Sequence, residues 1–98
     1  MSMSVEQLLQ EKREEILRIA SRHGVRRLRV FGSAARGEAG AGSDLDLLIE
    51  AGPHRTPWFP GGLIADLESL LGCRVDVVTE KALHWYIRDR VLQEARPL

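Results

Sequence analysis

A chain of 98 residues with 44% hydrophobic side chains suffices for one domain, residues 1–98, around one modest core. Lysine plus arginine and aspartate plus glutamate number 14 each, so the formal net charge is zero, which argues against broad electrostatic binding of nucleic acid. No stretch is apolar enough to span a membrane, the first residues lack a signal peptide's basic start and apolar centre, and the lone cysteine, Cys73, cannot close an internal disulfide; together these point to the cytoplasm.

Ser4-Val5-Glu6-Gln7 reads as a capping box that opens a helix. Val5, Leu8, Leu9, Lys12, Ile16, Ile19 and Ala20 keep helical spacing, with Lys12 the one polar member. Glu14 and Arg18 stand four apart in the favourable order. Gly24 stops the helix, and His23 before it suits a helix C-terminus when charged.

Arg26 to Phe31 follows as a strand, with Leu28 and Val30 on one face and Arg27, Arg29 and Phe31 on the other. Gly32-Ser33 then lets the backbone turn sharply and a ligand come close. If Ser33 opens a helical turn, its N–H groups and hydroxyl form an anion site. Ala34-Ala35-Arg36 fits such a turn, and Gly37, Gly40 and Gly42 loosen the loop beyond it. Ser43 suits local capping.

Leu45 to Ile49 reads as the second strand. Its alternation places Asp44 and Asp46 on one face and Leu45, Leu47 and Ile49 on the other. Adjacent carboxylates repel unless a cation lies between them, and the natural partner is a hard divalent ion, most simply Mg²⁺. A phosphate cradle joined by a short loop to a metal-binding acid pair is the equipment of phosphoryl or nucleotidyl transfer.

Residues 51–62 hold three prolines and three glycines and form the main loop. Its Trp58-Phe59 pair either folds back onto the core, the reading favoured here, or stacks on a base or a partner. His54 has no second ligand at metal spacing and reads as surface. Leu63, Ile64, Leu67, Leu70 and Leu71 mark another amphipathic helix, ended by Gly72. Cys73, expected as a small core residue, begins a third strand that runs to Thr79. Asp76 is out of place in this valine-rich strand unless it binds metal or pairs with Arg74 or Arg29. Thr79 is expected to cap the last helix, with Glu80 in its first turn and Leu83, Ile87 and Val91 as its buried stripe. Trp85, Tyr86 and Leu92 fall off that stripe and either widen the core face or form a partner surface. Pro97 ends the helix.

The order helix, strand, loop, strand, helix, strand, helix predicts an α/β domain. A three-stranded mixed sheet is expected, with helices packed on one main face. The first two strands should be antiparallel, and the second and third, joined by a helix, parallel.

Gly32-Ser33, ten residues, then Asp44-x-Asp46 resembles the signature of the DNA polymerase beta-like nucleotidyltransferase superfamily. The longer run from Phe31-Gly-Ser-Ala-Ala-Arg-Gly to Ser43-Asp-Leu-Asp-Leu-Leu-Ile resembles its smallest branch, the minimal nucleotidyltransferases. The resemblance also implies the antiparallel first pair of strands. It implies that Asp44, Asp46 and Asp76 are the catalytic carboxylates and hold one or two Mg²⁺ ions. Gly32 and Ser33 would then hold the phosphates of a nucleoside triphosphate, ATP for preference. Arg36-Gly37 matches the family pattern, so Arg36 either neutralises phosphate or is a solvated loop arginine. Branch members are antitoxins paired with a HEPN-domain toxin. The chain leaves no room for an acceptor domain, which makes that ribonuclease partner the expected acceptor of AMP. The competing reading is a binding module that silences the toxin by contact, its nucleotide site idle. An RNA-binding accessory domain is a weaker third, disfavoured by the zero net charge.

Overall fold

A computed structural model describes residues 4–40 and 43–98 of the chain; Gly42, expected to loosen the loop, lies outside the described residues. The first helix begins as the sequence dictates. The Ser4 hydroxyl accepts the Gln7 N–H at 3.2 Å, and the Gln7 side chain accepts the Ser4 N–H at 2.9 Å. The expected single helix is two, α1 (Val5–Glu11) and α2 (Arg13–Arg22). The break falls at Lys12, where the apolar stripe is interrupted between Leu9 and Ile16. The Lys12 N–H bonds back to the Leu8 carbonyl as the last bond of α1, and the Ile16 N–H bonds to the Lys12 carbonyl as the first of α2, so Lys12 closes one helix and opens the next. Gly24 takes φ +86°, and a Cβ there would lie 2.0 Å from the His54 carbonyl oxygen, so only glycine fits.

Strand β1 (Val25–Phe31) runs into a 3-10 turn at Gly32–Ala34. Strand β2 (Leu45–Ala51) returns antiparallel to it. Helix α3 (Gly61–Leu71) ends on Gly72 in the left-handed conformation and leads to β3 (Val75–Thr79), parallel to β2. Thr79 caps a different element from the one expected: its hydroxyl accepts the Ala82 N–H at 3.3 Å and closes a 3-10 turn at Glu80–Ala82. Helix α4 starts later, at Trp85, and runs to Glu94. A strand absent from the sequence reading follows, β4 (Arg96–Pro97), pairing antiparallel with Arg29 and Val30 of β1. The sheet is therefore four-stranded, in the order β3-β2-β1-β4. Two residues, one of them proline, carry no alternation from which a strand can be read.

Helices α1, α2 and α3 bury Val5, Leu9, Ile16, Ala20, Leu63, Leu67 and Leu71 against Leu45, Leu47 and Ile49 of β2. Each fully buried leucine or isoleucine contributes roughly 1.5–3 kcal/mol. Leu48, on the Asp46 face, is also fully buried but lies outside this main cluster, so β2 is covered on both faces at Leu48, while Asp46 on the same face stays half-buried. Helix α4 is held differently from the other helices. Val91 is its one buried residue; Ile87 is 37% exposed, and Trp85 and Tyr86 stand out of the fold. Trp58 also departs from expectation: with φ 66° its ring is 88% exposed, whereas Phe59 packs against the core. Cys73 is half-buried, and that burial pushes its thiol pKa up. No helix among the described residues is long and apolar enough to cross a membrane.

Candidate active site

The pairing of β2 with its two neighbours gathers the candidate residues. Asp46 stands opposite Phe31 of β1 on one side and level with Asp76 of β3 on the other. Gly32 follows Phe31 directly, so the turn after β1 lies against Asp46. A Cβ on Gly32 would sit 2.3 Å from Asp46 Oδ2, and the glycine has φ +72°. No other residue fits that contact without moving the carboxylate. The 3-10 turn that follows is closed by the Ala35 N–H to the Gly32 carbonyl at 3.1 Å, with Ser33 half-buried inside it.

Asp44 precedes β2 and is exposed, as is Asp76, whereas Asp46 is half-buried. The Asp46 pKa is raised first by burial, then by the charges of Asp76, Asp44 and Glu94, with Arg36 opposing them weakly. These carboxylates therefore share one electrostatic field. The salt-bridge alternative for Asp76 is not made: among the described residues Arg29 pairs with Glu80 at 2.6 Å, and no ion pair joins Asp76 to Arg29 or Arg74.

Arg36 is neither free nor simply solvated. It donates to Glu38 at 2.9 Å and to Glu94 Oε1, and both partners raise its pKa. Glu94 reaches further: its Oε2 accepts the Gly32 N–H at 3.0 Å. That bond and Arg36 draw the Glu94 pKa down, against the upward push of its burial. Sequence reasoning missed Glu94, which is 62 residues from Gly32. Its only trace is its position three after Val91, on the side of α4 that turns inward.

The donor set fits a hard cation. Its atoms are carboxylate oxygens, and the mutual repulsion that adds to burial in raising the Asp46 pKa is what a divalent ion relieves. Among the described residues no group of three or more His, Cys, Asp or Glu side chains forms a ready-made cage. Mg²⁺ is ordinarily held by one or two carboxylates together with substrate phosphates, an arrangement that needs no such cage. The site is an open face of the sheet: a cavity of about 290 Å³ elsewhere, lined by Leu9, Arg13, Val30 and Leu98, includes none of the three aspartates.

Comparison with known proteins bears on this arrangement. Residues 11–98 match the family described as nucleotidyltransferase domain. The protein adenylyltransferase MntA of Thermococcus cleftensis is 39% identical over 92 residues, spanning 92% of this chain and 88% of the relative. A solved structure carrying the provisional name minimal nucleotidyltransferase superposes with a TM-score of 0.82 at 47% identity, over 100% of this chain and 97% of that one. A toxin-antitoxin structure solved with AMP-PNP superposes with a TM-score of 0.71, over 86% of this chain and 69% of that one; at 20% identity it bears on the fold alone.

Proposed function

The chain belongs to the nucleotidyltransferase domain family, and from that premise we propose that it is a cytoplasmic antitoxin that transfers AMP from ATP to a HEPN-domain toxin. The observation that carries the reading is the level pairing of Asp46 with Asp76 beside Gly32. It puts two carboxylates and a close-approach glycine against one small volume. The name of the Thermococcus relative, a protein adenylyltransferase, supports both the adenylyl group and a protein acceptor.

In this reading Gly32 and Ser33 hold the terminal phosphates through backbone N–H groups and the Ser33 hydroxyl. Arg36 adds a positive charge beside them. Asp44, Asp46 and Asp76 would hold one or two Mg²⁺ ions, which when bound neutralise the triphosphate and sharpen the electrophilic α-phosphorus. Asp76 lies at the exposed end of the group, where it accepts the proton of the acceptor hydroxyl. The acceptor oxygen forms a bond to the α-phosphorus, the bond from that phosphorus to the bridging oxygen breaks, and pyrophosphate leaves.

Intact-mass spectrometry of the HEPN partner, incubated with ATP, Mg²⁺ and this chain, tests the reading. Wild type should add one or more AMP masses, and Asp46→Asn essentially none while still binding the partner. A toxin silenced by wild type without any added mass would replace transfer by contact inhibition.

A further inference from the structure

We propose that Glu94 is a built-in competitor of the nucleotide: its carboxylate occupies the place of a phosphate on Gly32 and Arg36, and must leave before a triphosphate can bind. The inference rests on the phosphate-binding role proposed for those two residues.

Both oxygens of Glu94 are committed, Oε2 to the Gly32 N–H at 3.0 Å and Oε1 to the Arg36 guanidinium. One anion thus spans a backbone amide and an arginine, as a phosphate would. The side chain is only 17% exposed, and its charge adds to the repulsion on Asp46. A carboxylate placed among carboxylates needs strong donors to stay there, so these two donors form an anion site whose occupant is supplied by the chain itself.

The element that carries Glu94 is suited to letting go. Val91 is the one buried residue of α4, and the helix continues into a two-residue strand on the edge of β1. An element with so little buried surface opens at low free-energy cost. A nucleotide then binds only the fraction of molecules in which Glu94 has withdrawn, and its apparent affinity falls by that fraction. By linkage, anything that draws α4 away from the sheet tightens nucleotide binding by the same factor.

Calorimetry with ATP on the full chain, in EDTA and in Mg²⁺, tests this. Glu94→Gln keeps the shape and removes the charge; Glu38→Gln removes the other partner of Arg36 and controls for the loss of any nearby negative charge. Glu94→Gln should bind ATP about tenfold tighter in both buffers, and Glu38→Gln should stay within about twofold of wild type. Tripolyphosphate should show the same gain, because the competition is for phosphate. Should Glu94→Gln fail to fold by circular dichroism, Glu94→Asp, one methylene too short to span both donors, should give the same tightening. An affinity unchanged, or raised no more than by Glu38→Gln, or a gain with ATP but not tripolyphosphate, overturns the proposal. Weaker binding confined to Mg²⁺ would assign Glu94 to the metal side and overturn it equally. Failure of wild type and both Glu94 variants to bind any ATP would instead sink the nucleotide site itself, and the inference with it.

Discussion

Asp46 carries the conflict on which the site is built. Burial and its acidic neighbours raise its pKa above the ordinary carboxylate value, so the folded chain holds the proton more tightly than the unfolded chain does. Stability from this group is therefore full below the unfolded pKa. It declines as pH rises through the window up to the folded pKa and stays lower at neutral pH. Asp46→Asn removes the charge and should raise the melting temperature at pH 7 in EDTA, even as it abolishes transfer. The gap between variant and wild type should close as pH falls into the carboxylate range. A variant that melts below wild type at pH 7 would contradict this account of Asp46. The carboxylate pair and the glycine were legible in the sequence because strand alternation and a short loop tie them together locally. Glu94 was not legible, because what delivers it is the docking of the chain's last helix and strand, and no local pattern records that.

Among the elements, β2 and α4 are opposites. Leu45, Leu47, Leu48 and Ile49 of β2 are all 2% exposed or less, whereas α4 buries Val91 alone. Leu47→Ala should cost about 2–5 kcal/mol, and Ile87→Ala, on a helix with so little buried, under about 1 kcal/mol. Urea denaturation measures both, and equal losses would mean that α4 shares the core. The sequence made the two elements look more alike than they are. Leu83, Ile87 and Val91 keep a helical stripe, but Leu83 precedes the helix and Ile87 faces outward. Periodicity reports a face that is apolar, not one that is covered. The break falls at Lys12, the one polar residue in its stripe, but the sequence reads as one helix through it, because whether the stripe splits depends on how each half packs.

Across the whole molecule the net charge is zero, yet Asp44, Asp46, Asp76 and Glu94 crowd one end of the sheet. A triphosphate approaching that face meets repulsion that a divalent ion removes. Wild type should bind ATP at least about tenfold tighter in Mg²⁺ than in EDTA by calorimetry, and equal affinities would remove the metal from the proposal. The architecture was largely legible: the order of helices and strands, the antiparallel and parallel pairings and the central place of β2 all follow from the apolar runs and the turns between them. The tryptophans were not: Trp58, beside Pro57, reads as folding back onto the core, and Trp85, off the stripe of its helix, reads as either core or partner surface. Both of the chain's tryptophans, Trp58 and Trp85, are more than four-fifths exposed. Indole emission responds to the water around the ring, and here those rings are wetted before the chain unfolds as well as after. Intrinsic fluorescence is thus a poor gauge of folding for this protein and a built-in dye for whatever settles over either ring.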